Sequence, residues 1–285
     1  MKAVIKVALG LIGDNIRRSR SPDLHRACGR IVGLDVSYEL FIPPDMGLSF
    51  DEVFALCLTR LDGFNVTLHY KERAAGMVRI EDPLIRRLGA INTVLVGSEG
   101  PVGWNTDFTG FTTAYRQKFG CRAPGEVVMF GAGGVGRAIA FALVRLGAAS
   151  ITILDTDEVK AARLAETISE IGGGTTIGRM GSHNALPCAD GAVNCTPLGM
   201  EGYPGSPLAT DEPFPAKEWA FDAVYTPFET PFRDRALDAG AVFLSGYDLF
   251  FYQGLDAFRL FTGRNIKDWK AVRRALVAQA AEVER

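Results

Sequence analysis

The sequence has little of what a disulfide framework, a metal centre or a membrane anchor requires. Its 285 residues include five scattered cysteines that form no CxxC pair, and only three histidines. This pattern is typical of a reduced protein, and it predicts neither structural zinc nor any other metal. The apolar start of the chain is interrupted by Lys6 and Asp14, so it is too short to span a bilayer. We therefore expect a cytoplasmic protein whose first residues form a strand rather than a signal peptide.

An excess of charge of either sign is also lacking. The formal net charge is -2, from 31 Lys+Arg and 33 Asp+Glu. Nucleic acids and anionic membranes are bound by basic patches, so neither is a predicted partner. Hydrophobic residues make up 47% and charged residues 22%, as in ordinary globular proteins. The length suits one large or two medium domains, in a monomer or a homodimer.

What is present is a repeated alternation of strand and helix patterns. Four strand candidates come first, namely KAVIKVALGLIG, VSYELFI, LDGFNV and INTVLV, the last followed by a predicted turn, GSEGPVG. The later candidates are VVMF, SITILD, TTIGRM, GAVNCT, WAFDAVY and AVFLSG. Helices are predicted between most of them, including one with Ser21 as N-cap and Pro22 as its first residue, and one from Asp107 to about Phe119. The alternation predicts an α/β fold with parallel sheets covered by helices.

The clearest local motif is GAGGVGRAIA, which follows an apolar run and leads into a helical pattern. Gly131, Gly133 and Gly136 fit GxGxxG, the loop that permits a tight turn, close approach of a pyrophosphate, and helix–strand packing. The helix N-terminus offers free N–H groups to phosphates. The alternative is a glycine-rich turn in a Rossmann-like domain that has lost its ligand.

Asp155 ends the next strand, about 20 residues beyond the last glycine, as the dinucleotide fingerprint requires. A carboxylate there accepts hydrogen bonds from the adenosine ribose hydroxyls and repels a 2′-phosphate. We therefore predict NAD rather than NADP as cofactor. The alternative is that Asp155 caps the next helix, although Asp157 could serve that purpose equally well.

Several motifs together resemble the shikimate/quinate dehydrogenase family over nearly the whole chain. They are SRSPDLH, NVTLHYK, LGAINT, GWNTDFTG, NCTPLGM, VYTPFETP and YQGLDAFRLFTG. The resemblance implies two α/β domains, with a Rossmann-like dinucleotide-binding domain inserted into a substrate domain. The substrate-binding catalytic domain would comprise residues 1–106, completed by helices in 248–285, and the NAD-binding domain residues 107–247.

The resemblance also implies a catalytic pair, Lys71 and Asp107, at the substrate hydroxyl that is oxidised. Loss of hydride from a secondary alcohol requires loss of the hydroxyl proton, so a base near this hydroxyl assists the reaction. We expect Lys71 to transfer the proton and Asp107 to orient the lysine and the hydroxyl. The alternative is a surface salt bridge.

The other site residues are implied in the same way. The substrate-binding residues are Ser19, Ser21, Thr67, Asn92, Tyr225 and Gln253, with the serines and Tyr225 at the ring carboxylate and the others at ring hydroxyls. The cofactor-binding residues are Gly131, Ala132, Gly133, Gly134, Val135, Gly136, Asp155, Thr196, Ala223, Gly246 and Leu249. Simpler roles remain open, since Ser21 could cap a helix, and Asn65 and Thr67 could form a turn.

Three positions depart from the family pattern. His69 stands where proline is usual, which could alter the path of the loop that carries Lys71 or bring an imidazole near the site, and we favour the altered loop. Leu249 stands where methionine is common, close to the retained Gly246. Asp155 replaces the asparagine-arginine-threonine pattern of NADP-using members. The three departures predict a divergent, NAD-preferring branch.

The predicted function is therefore NAD-dependent oxidation of the ring hydroxyl of shikimate, or of quinate, a cyclohexene or cyclohexane carboxylate. Quinate-preferring relatives often carry threonine at the second serine position, so Ser21 favours shikimate. One alternative is a non-catalytic regulator that responds to these ligands, which the retention of Lys71 and Asp107 argues against. Another is a dehydrogenase of an aminated or other shikimate analogue.

Overall fold

The computed structural model describes residues 5–67, 69–174, 177–181, 188–209 and 212–283. The chain divides into two compact units. The first unit comprises Met1–Thr106 and Phe251–Arg285, and the second comprises Asp107–Phe250.

The first unit contains a mixed five-stranded sheet in the order β2-β1-β3-β4-β5. Its strands are β1 (Lys6–Ile12), β2 (Asp35–Phe41), β3 (Gly63–Val66), β4 (Thr93–Gly97) and β5 (Gly100–Trp104). β1 pairs in parallel with β2 and β3, whereas β4 pairs in antiparallel fashion with β3 and β5.

The prediction of a turn over GSEGPVG was wrong in its second half, because GPVG belongs to strand β5. Gly100 and Pro101 resemble turn residues, and proline cannot donate to a strand ladder. β5 lies at the edge of the sheet, however, where a missing N–H is tolerated.

Helices pack around this sheet, and three short ones were not predicted from the sequence. The helices are α1 (Ser21–Val32), α2 (Pro43–Met46), α3 (Phe50–Arg60), α4 (Lys71–Ala75), α5 (Pro83–Leu88) and α11 (Trp269–Val283). α3 begins with a capping box between Ser49 and Glu52. α11 packs against α1, as expected for terminal helices that return to the first part of the chain. Two longer helices, α6 (Thr106–Phe119) and α10 (Gly246–Thr262), carry the chain into and out of the second unit.

The second unit contains a six-stranded, fully parallel sheet in the order β11-β10-β9-β6-β7-β8. Its strands are β6 (Glu126–Phe130), β7 (Ser150–Leu154), β8 (Ile177–Met180), β9 (Ala189–Asn194), β10 (Ala216–Asp222) and β11 (Val242–Ser245). Its remaining helices are α7 (Gly134–Arg145), α8 (Glu158–Gly172) and α9 (Pro231–Asp238). Counted within the unit, the strand order is 3-2-1-4-5-6, the order of the Rossmann fold. The first two residues of the predicted strand TTIGRM lie outside the described residues.

Both units have the packing expected of α/β domains, and in the first unit all four residues of β3 are buried. All five residues of β7 are buried, as is typical of a parallel strand covered on both faces. One core cluster of the second unit includes Val128, Phe130, Leu154, Ala192, Ala220 and Phe232. The prediction of two α/β domains is thereby confirmed. No described helix is both long and apolar enough to cross a membrane.

Candidate active site

A buried polar network joins three strands of the first unit, with Asn65 of β3 at its centre. The Asn65 side-chain amide donates to the Asn92 carbonyl and to Thr93 Oγ1, at 3.0 Å each. Its Oδ1 accepts a 2.9 Å hydrogen bond from the Tyr38 hydroxyl. Asn65 is therefore not a turn former, and the alternative that it forms a turn was wrong. It fixes the backbone beside Asn92.

Asn92 and Gln253, two of the predicted substrate-binding residues, lie together beside Thr106. The Asn92 side-chain amide is 3.4 Å from Gln253 Oε1, and Thr106 Oγ1 donates to the same Gln253 oxygen at 3.2 Å. Asn92 Oδ1 accepts from the Thr106 backbone N–H at 2.7 Å. These contacts hold the two amide side chains next to Thr106, which directly precedes Asp107. Asp107 is the first residue of the second unit.

Lys71 and Asp107 are each buried at the start of a helix. Lys71 is the first residue of α4, and its carbonyl accepts a 3.0 Å bond from Ile91 N–H. Asp107 is in the first turn of α6, where the positive end of the helix dipole stabilises a carboxylate. Thr67 lies half-buried just after β3, and its N–H donates to the Ile12 carbonyl at 3.0 Å.

The two serines form a local pair at the start of α1. Ser19 Oγ is 3.2 Å from Ser21 Oγ and accepts a 3.3 Å hydrogen bond from the Ser21 N–H. The prediction that Ser21 caps the helix was wrong, because Ser21 is its first residue and Arg20 occupies the N-cap. The result is two adjacent, half-buried hydroxyls, an arrangement that suits a carboxylate ligand. Tyr225, the third predicted carboxylate partner, belongs to the second unit and stacks on Phe250, with ring centroids 5.3 Å apart.

His69, which precedes Lys71 by two residues, has a positive φ of 70°. Proline is confined to a φ near −65°, so the backbone here differs from the one that the family's usual proline would permit. The His69 side chain is exposed.

The glycine loop of the second unit has the geometry of a phosphate-binding turn. Gly131 adopts a φ of 98°, and a Cβ there would lie 2.8 Å from the Cys195 carbonyl carbon. A Cβ on Gly136 would overlap the Gly131 carbonyl, so this glycine permits close packing of α7 on the loop. Gly133 has no heavy atom within 4 Å of its missing Cβ, which leaves open space at the N-cap of α7. Gly134 and Val135 follow in the first turn, with their N–H groups at the positive end of the helix.

Asp155 connects β7 to the glycine loop. Its Oδ2 accepts a 2.7 Å hydrogen bond from Ala132 N–H, and its Oδ1 accepts one from Asp157 N–H at 2.9 Å. Asp157 caps α8 by accepting from Lys160 N–H, so the alternative that Asp155 is the helix cap was wrong. Each carboxylate oxygen can accept more than one hydrogen bond, so Asp155 keeps acceptor capacity for ribose hydroxyls.

Two residues that the sequence analysis did not single out organise the loops after β9 and β10. Asn194 Oδ1 accepts from the Thr196 hydroxyl at 2.7 Å, and its amide donates to Asp222 Oδ1 at 3.0 Å. Asp222 is fully buried and also accepts from Thr230 Oγ1 at 2.6 Å. Burial raises the pKa of the Asp222 carboxyl to about 6. Each of these two residues is the polar end of an apolar run, Asn194 in GAVN and Asp222 in WAFD, and this pattern could have identified them.

The start of α10 packs against the loop after β10. A Cβ on Gly246 would overlap the Ala223 carbonyl and lie 2.7 Å from the Asp222 carbonyl oxygen. Leu249, one turn later, is buried. Among the residues that the structure describes, no group of three or more His, Cys, Asp or Glu could hold a metal ion.

The strand order, the glycine loop and the acid at the end of β7 are those of a Rossmann-type dinucleotide-binding domain. A family model described as the shikimate dehydrogenase substrate binding domain matches residues 11–94. The chain belongs to the shikimate/quinate dehydrogenase family, because relatives more than 30% identical match along nearly its whole length. It is thus an oxidoreductase that uses a nicotinamide dinucleotide.

Three similar proteins illustrate the relationship. A quinate/shikimate dehydrogenase (NAD(+)) of Corynebacterium efficiens is 36% identical over 90% of this chain and 93% of its own. A shikimate dehydrogenase (NADP(+)) of Pseudarthrobacter chlorophenolicus is 34% identical over 90% of this chain and 89% of its own. A solved quinate dehydrogenase from Corynebacterium glutamicum, in complex with NAD, has a TM-score of 0.83 and 32% identity, and covers 96% of this chain and 99% of its own. The relatives include both NAD and NADP enzymes.

Proposed function

We propose that this protein oxidises the ring hydroxyl of shikimate with NAD to give 3-dehydroshikimate and NADH, and that quinate is a second, poorer substrate. The observation that carries the proposal is the pairing of Asn92 and Gln253 beside Thr106. Two amide side chains held close together can donate to and accept from adjacent ring hydroxyls. In the same unit, the Ser19 and Ser21 hydroxyls suit the carboxylate of a small ring acid.

Proton transfer is assigned to Lys71. During oxidation its Nζ takes the proton of the reacting hydroxyl, and during ketone reduction it returns that proton. Asp107 orients the lysine and the hydroxyl, and it offsets the lysine charge when the proton is held. Bound NAD supplies the hydride acceptor. Burial of Lys71 and Asp107 at helix starts supports these roles, since ionisable side chains are seldom buried without a partner or a function.

The preference for NAD is assigned to Asp155. Backbone N–H groups of Ala132 and Asp157 hold the carboxylate next to the glycine loop. In this position it can accept hydrogen bonds from ribose hydroxyls, whereas the charge of a 2′-phosphate would be repelled. The helix-cap role of Asp157 leaves Asp155 available for this recognition.

Replacement of the catalytic pair tests the proposed mechanism. We expect Lys71→Ala to lower kcat for shikimate oxidation by about 100-fold or more, the usual scale for loss of a general acid or base. Asp107→Ala should also slow turnover. In the double variant kcat should fall by much less than the product of the two single effects, because the residues act as a unit. Lys118→Ala, an exposed lysine on α6, is the matched control and should retain normal turnover. Near-normal turnover by Lys71→Ala would remove Lys71 from the mechanism.

A further inference from the structure

The backbone before Lys71 turns sharply at His69. With a φ of 70°, His69 is the only non-glycine residue with positive φ among the described ranges. Residues other than glycine adopt this left-handed conformation at a cost in free energy. His69 is exposed, so burial of its own side chain does not offset that cost. Neighbouring residues must therefore hold the bend.

Tyr70, the next residue, is held at two points within the first unit. Its hydroxyl donates a 2.6 Å hydrogen bond to Asp14 Oδ1, in the loop after β1. Its ring stacks on Phe50, the first residue of α3, with centroids 4.3 Å apart and an interplanar angle of 7°. Burial, together with the hydrogen bond to Asp14, raises the pKa of Tyr70 to about 12. The phenol therefore remains protonated and donates at neutral pH.

Tyr70 is also the N-cap residue of the helix that begins with Lys71. Its carbonyl accepts a 2.8 Å hydrogen bond from Ala74 N–H. α4 has only five residues, and a helix this short is not stable without external contacts. The place of Lys71 therefore depends on how its flanking residues are anchored. Tyr70 provides the anchor on the N-terminal side, and Ile91 N–H bonds to the Lys71 carbonyl directly.

We propose that Tyr70 is a positioning residue for Lys71, and that its hydrogen bond to Asp14 replaces the conformational restriction that a proline would supply at position 69. The proposal rests on the assigned proton-transfer role of Lys71. Tyr70 acts through the backbone at the start of α4. Loss of the Tyr70 hydroxyl relaxes the bend and displaces the Lys71 amine from the reacting proton, while substrate binding by other residues continues. A small displacement of a catalytic group lowers turnover more than affinity.

The test removes only the Tyr70–Asp14 hydrogen bond. Tyr70→Phe keeps the stack on Phe50, and Asp14→Ala removes the acceptor. We expect each variant to lower kcat about 10-fold with KM within about twofold. The double variant should lose no more kcat than either single variant, because both substitutions remove the same hydrogen bond. Asp14→Asn retains an acceptor oxygen and should restore most of the turnover.

Two readouts separate positioning from general stability. The solvent deuterium isotope effect on kcat should rise in Tyr70→Phe, since slower proton transfer then limits the rate more strongly. Tyr203→Phe, at an exposed tyrosine of the second unit, should change neither kcat nor the isotope effect. A Tyr70→Phe variant with a lower melting temperature but unchanged kcat and isotope effect would overturn the positioning role while leaving Lys71 in the mechanism. If Lys71→Ala turns over normally, the catalytic role of Lys71 and the role of Tyr70 both fail.

Discussion

His25 lies in an aromatic cluster of the first unit, stacked on Tyr38 with centroids 4.7 Å apart. Within the described structure its Nδ1 is buried without a hydrogen-bond partner. Burial lowers the pKa of His25 to about 3, compared with 6.5 in the absence of burial. The neutral, buried His25 therefore contributes fully to stability above pH 6.5, and this contribution is lost as the pH falls toward 3.

Asp222 has the opposite pH dependence. Burial raises its pKa from 3.8 to about 6, so the folded protein favours the protonated carboxyl. The stability associated with this proton is fully present below about pH 4 and is lost as the pH rises through 6. Between pH 6 and pH 4 the contributions of His25 and Asp222 to stability therefore have opposite signs and partly cancel.

The variant His25→Phe isolates the histidine contribution, because it keeps an aromatic ring and removes the titration. When the pH is lowered from 7 to 4.5, the free energy of unfolding of the wild-type protein should fall by roughly 3 kcal/mol relative to that of His25→Phe. Urea unfolding of both proteins at the two pH values measures this difference. Parallel pH curves for His25→Phe and wild type would contradict the buried neutral state of His25.

Individual candidate site residues could be located from the sequence more readily than their contacts. The ends of apolar runs indicated Asn65, Thr67 and Asp155, because parallel strands bring polar residues to one edge of a sheet. The hydrogen bonds of Asn65 to residues on β2 and β4 depend on strand register, which no local motif encodes. Asp222 also ends an apolar run, but its contacts with Asn194 and Thr230 leave no local pattern in the sequence.

At the scale of elements, the junction between β10 and α10 depends on a glycine. A methyl group on Gly246 would meet backbone atoms of Ala223 and Asp222, which cannot move aside as a flexible side chain could. Gly246→Ala should therefore destabilise the protein by about 1–3 kcal/mol, the usual cost of overpacking. Thermal unfolding measures the effect. Gly97→Ala is the matched control, since its Cβ would make only an ordinary contact 3.7 Å from the Gly100 carbonyl oxygen. Equal melting temperatures for Gly246→Ala and Gly97→Ala would show that the junction has room for a side chain.

Long, strongly patterned elements could be predicted, whereas short ones could not. The α3 range FDEVFALCLTR and the buried β7 run follow directly from hydrophobic patterning. The four residues of α2 and the five of α4 are too few to show a helical period. β5 was hidden by Gly100 and Pro101, whose turn preference is overridden by pairing with β4.

At the scale of the molecule, alternation of strands and helices predicted an α/β fold, and the family resemblance implied its two domains. The strand order explains the location of the glycine loop. β6 lies between β7 and β9, where the order of the parallel sheet reverses. Ligands of such sheets bind outside the carboxyl ends of the strands at this switch point. The glycine loop after β6 approaches Cys195 and Thr196 after β9 at the same edge. Strand order itself could not be read from the sequence, since pairing between distant strands leaves no local pattern.

The measurement that most directly tests the proposed function compares kcat/KM for shikimate and quinate with NAD and NADP. We expect shikimate to be preferred over quinate, and NAD over NADP on the order of 100-fold, because a carboxylate facing a phosphate is costly. Asp155→Ser combined with Thr156→Arg should shrink or reverse the NAD preference, while Asp157→Ser keeps a helix cap and should leave it unchanged. Absence of dinucleotide reduction with both acids would contradict the proposed reaction, and equal use of NAD and NADP by the wild-type protein would contradict the role of Asp155.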